Sequence, residues 1–355
     1  MSRQSVGRRF HVPLVAIIAI LIQGAVHADP GDTVDVIAFG SCVKQGKAQP
    51  VWEAIVKRKP DVFVFLGDNI YGDTQDMNVM RAKYAQLANE PVFGQLRRQC
   101  PIIATWDDHD YGVNDGGREY PMKRESQQVF LDFLGVPTDS PRRKQEGIYH
   151  ATTFGRGDQA IQFIMLDTRY FRSKLVKRGS QWIPALGRRG PYSTNDDPKS
   201  TILGETQWQW LEQQLKQPAA IRIIGTSIQA IPNDHHWEKW GNFPHERDRL
   251  FNLIETTKAN GVILVSGDRH HAEISRMTVG DRPIYEVTSS GLNQPKRWQN
   301  EVNAYRIGRQ YDESNFGSID IDWTASDPII KLQVHDVKGN LILQQVVSLS
   351  ELQAK

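Results

Sequence analysis

Short, unbroken apolar runs punctuate the chain, and each one ends in polar chemistry. "DVIAFGSC" closes on Cys42, "DVFVFLGDNIY" on Asp68 and Tyr71, and "CPIIATWDDHD" on Asp107, Asp108, His109 and Asp110. Further on, "AIQFIMLDTRY" delivers Asp167 and Arg169, "IRIIGTSIQAIPNDHH" delivers Gln229, Asp234 and His235, and "VILVSGDRHHAE" delivers Asp268, His270 and His271. Runs that are continuous rather than alternating predict strands buried on both faces. The stretches between several of them have helical spacing. In "QPVWEAIVKRKP" Val51, Ile55 and Val56 share a face ahead of Pro60, and "GETQWQWLEQQLKQP" stops at Pro218. "RDRLFNLIETTKANG" ends in Asn-Gly, and "SQQVFLDFLG" predicts a further helix. Strand and helix in alternation predict an α/β layered fold. In such sheets ligands bind at the carboxyl edge, where these polar residues fall. The tail, from "IYEVTSS" through "IIKLQVHDVKGNLILQQVVSL", predicts more strands, with a hairpin at Lys338-Gly339-Asn340.

No internal repeat or low-complexity linker divides the sequence, so residues 29–355 read as one domain. One long stretch, 172–200, is rich in Gly, Pro, Arg and Lys and reads as a lid, with Leu175, Trp182, Ile183 and Leu186 among its charges. His235, His236 and His245, with Trp237 and Trp240 among them, read as a second loop over the site.

The 355 residues carry 43 basic and 41 acidic side chains, a formal charge of +2. That balance implies neither a nucleic-acid nor a membrane-surface partner. The first 28 residues differ from the rest. A basic start, the apolar stretch 12–22 and a small-residue segment ending at Ala28 read as a secretory signal. The apolar part is shorter than the ~20 residues that a spanning helix needs. Cleavage would remove Arg3, Arg8 and Arg9 and no acid, leave a formal charge of −1 and no stable membrane span, and place the protein in a periplasm or outside the cell. The general secretory route fits, and Arg8-Arg9 hints at twin-arginine export.

Export bears on the two cysteines, Cys42 and Cys100, because an even count in an oxidising compartment favours a disulfide. The alternative is that Cys42 holds a metal. A thiol, several carboxylates, a phenol and imidazoles form a donor set of mixed hardness. Calcium or magnesium alone would need neither Cys nor His. The set therefore suggests two metals sharing a carboxylate, an arrangement suited to phosphoryl displacement. Taken singly, Tyr71 reads as a core aromatic and His109 as a buried histidine. Of His270 and His271, neighbours on an extended segment, one at most would face a metal.

"GDNIY" (67–71), "WDDHD" (106–110) and "GDRHHAE" (267–273) resemble the motif series of the calcineurin-like metallophosphoesterases. "FGSC" (39–42), "DSPRR" (139–143), "GIYH" (147–150), "LDTRYFR" (166–172) and "LGETQWQWLEQQL" (203–215) are similar to its alkaline phosphatase D (PhoD-like) family, in order from Val36 to Asn293. The resemblance implies a layered metallophosphoesterase fold, with central β-sheets flanked by helices and the site at strand carboxyl ends. It also implies a binuclear or larger centre, in which hydroxide held on Fe3+ attacks a phosphoester beside a divalent ion (Ca2+, or Mg2+, Mn2+ or Zn2+). Cys42, Asp68 and Tyr71 would serve the ferric site and Asp68 would bridge. Asp108 would bind the second ion, Asn114 would complete that site, and Asp268 and His270 occupy the final motif, with Asp where the superfamily has its first His. Gln229 stands near the place of the middle His. His109 would contact the phosphoryl group and protonate the leaving oxygen. Arg269 would meet an anionic substrate, while Arg169 would either pair with Asp167 or do the same. The substrate would be a small phosphoester. A phosphodiesterase or phospholipase D-type activity on a lipid head group is an alternative, as is a non-catalytic exported protein that binds metal or phosphate.

Overall fold

The computed structural model describes residues 32–178, 190–296 and 301–354. The signal segment 1–28 and the lid residues Trp182, Ile183 and Leu186 lie outside the described residues.

The first half of the chain runs β1 (Val36–Gly40), α1 (Val51–Arg58), β2 (Val62–Leu66), α2 (Met77–Ala88), α3 (Pro91–Gln99), β3 (Ile102–Thr105), a single turn α4 (Asp108–Tyr111) and α5 (Lys123–Phe133). It continues through β4 (His150–Phe154), β5 (Ile161–Met165) and the two-residue pair β6 (Val176–Lys177) and β7 (Tyr192–Ser193). The second half adds α6 (Gly204–Leu215), β8 (Ile221–Thr226), α7 (Pro244–Thr256) and β9 (Val262–Ser266). Six more strands follow: β10 (Ala272–Val279), β11 (Arg282–Ser289), β12 (Arg306–Tyr311), β13 (Asn315–Asp322), β14 (Ile329–Asp336) and β15 (Leu341–Ser348).

One sheet has the order β15-β14-β13-β1-β2-β3 and the other β12-β10-β11-β9-β8-β5-β4. In the first, β1, β2 and β3 are parallel; in the second, β5, β8, β9 and β11 are. Strand parity then sorts the side chains. On β2, Val62, Val64 and Leu66 enter the core between the sheets, where they meet Phe163, Ile223 and Ile263 of the second sheet. Phe63 and Phe65 point the other way, onto the helices. There Trp52 of α1 lies 5.6 and 5.8 Å from the rings of Phe63 and Phe65, and 5.0 Å from Phe93 of α3. The outer face of the second sheet is covered by Trp208, Leu211 and Leu215 of α6 and Leu250 and Ile254 of α7. The result is four layers: helices, sheet, sheet, helices. All the chemistry-bearing strand ends point to the same edge.

The expected helices form, with shifted limits. α7 begins at Pro244, whose missing N–H costs nothing in the first turn, and stops at Thr256 because Lys258 turns left-handed (φ 51°) before Asn-Gly is reached. The hairpin at Lys338-Gly339-Asn340 forms, with Gly339 at φ 82°. The disulfide does not. Cys42 follows the carboxyl end of β1, whereas Cys100 precedes the amino end of β3, and both thiols are free and buried. A strand length of roughly 15 Å separates them, about twice what a disulfide spans. No described helix is long and apolar enough to cross a membrane.

Candidate metal centre

Four loops, those after β1, β2, β3 and β9, meet at the carboxyl edge. Pairing of β1 with β2 continues past the strands, through Cys42 N–H to the Gly67 carbonyl (3.4 Å) and Val43 N–H to the Asp68 carbonyl (3.0 Å). Packing here is close enough to require glycine. A Cβ on Gly67 would lie 2.4 Å from that of Asp107, and the residue is at φ 96°. Non-glycine residues beside it are strained as well. Cys42, Asp68, Asp268 and His270 adopt positive φ of 61°, 51°, 64° and 58°, as do Asp73 and Asp115. Left-handed backbone costs roughly 1–2 kcal/mol per residue and concentrates at functional sites. Three of the expected metal ligands, Cys42, Asp68 and His270, are thus brought to one point against local preference.

Two groups of donors result, and Asp68 belongs to both. Cys42, Asp68 and His270 present one ligand atom each within 4.8 Å of one another, and so do Asp68, Asp108 and His109. His270 is oriented by its second nitrogen. Nδ1 lies 2.5 Å from the Gln294 carbonyl, an obligate acceptor, so Nδ1 carries the proton and Nε2 has the free lone pair. Cys42 Sγ lies 3.3 Å from Asp68 Oδ2 and 3.1 Å from Ser290 Oγ. The Tyr71 hydroxyl is buried without a hydrogen-bond partner. Its ring stacks on the His109 ring with centroids 4.3 Å apart.

Without cations the cluster is electrostatically frustrated. Burial, then Cys42 and Asp108, pushes the Asp68 carboxyl well above the usual range. Burial lifts the Cys42 thiol to about 11 even though the Ser290 and Ser41 hydroxyls lower it. The Tyr71 phenol is driven up by burial, then by Cys42 and Asp68. For His109, burial opposes the charged ring, but Asp108, Asp68 and Asp73 outweigh it and raise the imidazole to about 10. A bound cation reverses the tendencies of thiol, phenol and carboxylate. The donor set therefore fits a pair of metal ions: a partnerless buried phenol, a thiol, a shared carboxylate and an imidazole with one nitrogen already engaged.

Other residues hold the loops in register. Asp110 accepts from the main-chain N–H of Asp107 (2.7 Å) and Asp68 (3.1 Å) and from the Asn69 side-chain amide (2.7 Å). It thereby clamps the β2 loop to the β3 loop. Asp73 Oδ1 lies 2.6 Å from His109 Nδ1. Asp110 stands in "WDDHD" and Asp73 two residues beyond "GDNIY", but nothing in the spacing separates a clamp from a ligand. Ser290 and Gln294 arrive from the end of β11, far along the chain, and carry no local signal.

Several expectations change. Arg169 does not face substrate: it is fully buried, bonded through Nε and Nη2 to Asp107 (Nε at 2.6 Å) and through Nη1 to Glu238 (2.7 Å). Asp167 takes only its main-chain N–H. Arg269 is likewise committed, with Nη2 at 2.7 and 2.8 Å from the Glu301 carboxylate, beneath Trp237. Asn114 is exposed and lines a neighbouring cavity beside Asp73 and Asp115. Asp268 sits among the charges of Asp108, Arg169 and Arg269, but it falls outside the two groups of carboxylate, thiol and imidazole donors. Gln229 uses its amide on Glu273, Thr288 and His235, away from the centre. In the expected second loop His235 and Trp240 are buried, whereas His236, Trp237 and His245 are half-buried, with the Trp237 ring against Arg269. Of the lid residues described, Leu175 packs against the α6–α7 side of the second sheet.

A family model described as PhoD-like phosphatase matches residues 37–326. Alkaline phosphatase D of Bacillus subtilis (strain 168) is 24% identical over 299 residues, covering 72% of this chain and 48% of that protein. The chain thus spans about half the length of the curated relative it matches. Among solved structures, that of PhoD aligns at a TM-score of 0.65 and 18% identity over 90% of this chain and 72% of that one. The purple acid phosphatase PPD1 from yellow lupin seeds aligns at 0.61 and 12%, over 90% and 55%. GAP50, the anchor in the inner membrane complex of Plasmodium, aligns at 0.58 and 14%, over 91% and 90%. At such identities these likenesses show the fold.

Proposed function

The chain belongs to the PhoD-like phosphatase family, and from that premise we propose that it is an exported, metal-dependent phosphoesterase acting on small phosphate esters. The observation that carries the reading is the Asp68 carboxylate, common to both donor groups. Cys42, Tyr71, His270 and Asp68 would hold Fe3+, and Asp68 with Asp108 would hold a divalent ion, Ca2+ first among the candidates. Bound there, the ions supply the charge that acidifies water and neutralises phosphoryl oxygens.

The chain's own groups do the rest. Asp73 holds the Nδ1 proton of His109, which aims Nε2 toward the shared edge. In its protonated form His109 Nε2–H donates to the phosphoryl oxygens and passes its proton to the leaving alkoxide. Asp110 and the Arg169–Asp107 pair keep Asp68, Asp108 and His109 in fixed relation, so the geometry is prepaid on folding.

Asp73→Asn should therefore lower kcat about tenfold with metal content unchanged. The carboxylate raises the His109 imidazole, so its removal should also shift the alkaline limb of the kcat profile to lower pH. An unchanged limb would show that Asp73 does not orient the acid.

The reading is tested on protein purified without chelator, by visible absorption, elemental analysis and turnover of p-nitrophenyl phosphate and its bis-ester. Iron, a phenolate-to-iron band and hydrolysis are expected, with the band lost in Tyr71→Phe. Metal-loaded protein that turns over neither ester would sink the catalytic reading and leave a binding protein. Export is checked by fractionation and by a mature N-terminus at Asp29.

A further inference from the structure

A side-chain cation at the mouth of such a centre would attract the substrate's charge, and most positive side chains around this one are already engaged. Arg169 belongs to Asp107 and Glu238, and Arg269 to Glu301. Lys83 donates to the Tyr71 and Gly72 carbonyls, at 2.8 and 2.9 Å, and Lys239 to the His235 carbonyl. Lys44 differs. It is exposed, and among the described residues it has no carboxylate partner. Its ammonium lies 5.3 Å from the centroid of the Tyr71 ring, the same ring that stacks on His109.

The place of Lys44 is held firmly. Its N–H donates to Asn293 Oδ1 (2.7 Å), and its carbonyl accepts from Asn293 Nδ2 (3.0 Å). Gln45, the next residue, makes a reciprocal pair with the Tyr71 main chain, accepting its N–H at 2.9 Å and donating to its carbonyl at 3.0 Å. The lysine is thus pinned between the Cys42 ligand and the clamp on Tyr71, with only its stem free. Beside Asp73, the partner of His109, the sign reverses. A cavity of about 400 Å³ is lined there by Asp73, Asp115 and Glu119, with no basic side chain among its lining residues. The positive charge lies instead at Lys44, beside Tyr71.

We propose that Lys44 is the substrate-anion residue, its ammonium contacting the phosphoryl group presented over Tyr71 and His109. This rests on the phosphoesterase reading and replaces the roles expected of Arg169 and Arg269. An ammonium acts as a point charge that needs no fixed fork geometry, which would suit contact with a group whose position other groups of the centre set.

The test uses inorganic phosphate as probe, by calorimetry on the metal-loaded protein, beside kcat and KM on p-nitrophenyl phosphate. Lys44→Gln should weaken phosphate binding and raise KM about tenfold, with kcat within about twofold and metal content unchanged. Lys44→Arg should restore both, and salt should weaken the wild type more than Lys44→Gln. Unchanged phosphate affinity in Lys44→Gln overturns the proposal. So does a fall in kcat with loss of iron, which would make Lys44 a prop for Tyr71. A wild type that binds phosphate but turns nothing over refutes the catalytic reading alone, and Lys44 is then judged on binding. A wild type that turns esters over but binds no phosphate refutes the Lys44 proposal and leaves the catalytic reading standing.

Discussion

Asp68→Asn should strip the protein of both metals and lower kcat/KM at least about a thousandfold, about 4 kcal/mol of transition-state stabilisation. The reason is topological. Asp68 is the one residue common to both donor groups, so loss of its second anionic oxygen weakens two sites at once. The effect on the metal-free fold should have the opposite sign. Burial, Cys42 and Asp108 hold the Asp68 carboxyl far from its preferred ionisation, so removing the acid relieves a cost. With chelator present, the variant should unfold at a temperature no lower than wild type; with metals restored, wild type should be the more stable. Elemental analysis, turnover and paired thermal melts read all three. Full iron and full turnover in the variant would disprove the shared carboxylate.

His109→Ala should retain its metals while kcat falls about 10²- to 10⁴-fold, the range expected for loss of a general acid. The geometry makes this a sharp test, because His109 lies within ligand distance of Asp68 and Asp108. Loss of the divalent ion in the variant would make it a ligand instead. The pH profile gives a second check. The acid works only while protonated, so wild-type turnover should fall as pH rises through the His109 value. That value is about 10 without metals and lower beside bound cations. The limb should be absent in His109→Ala.

The strand-end chemistry was legible because buried parallel strands have a simple signature. An unbroken apolar run such as Val62–Leu66 followed by Gly67-Asp68 says both where the strand stops and what it delivers. That signature placed Cys42, Asp68, Tyr71, Asp108 and His270 at one edge; only the family resemblance suggested them as metal ligands, and the structure brings their loops together. The arginines could not be read the same way. Arg269 lies between two site residues in the chain, yet a left-handed turn on either side of it directs its side chain to Glu301. Arg169 ends a strand like the others, but it folds inward onto Asp107. Both stand at the right edge of the sheet, and only their partners decide which way they face.

Sequence alone determined the layered α/β class, the edge where the chemistry gathers and the types of donor offered, because hydrophobic period and turn residues are local properties. Tertiary structure decided the rest: that Asp68 is common to both donor groups, that Cys42 and Cys100 stand at opposite ends of their strands, that Asp73 meets His109, and that Lys44 meets no carboxylate among the described residues. These depend on distances between loops tens to hundreds of residues apart. Such distances follow from strand order and close packing, which no single stretch of chain encodes.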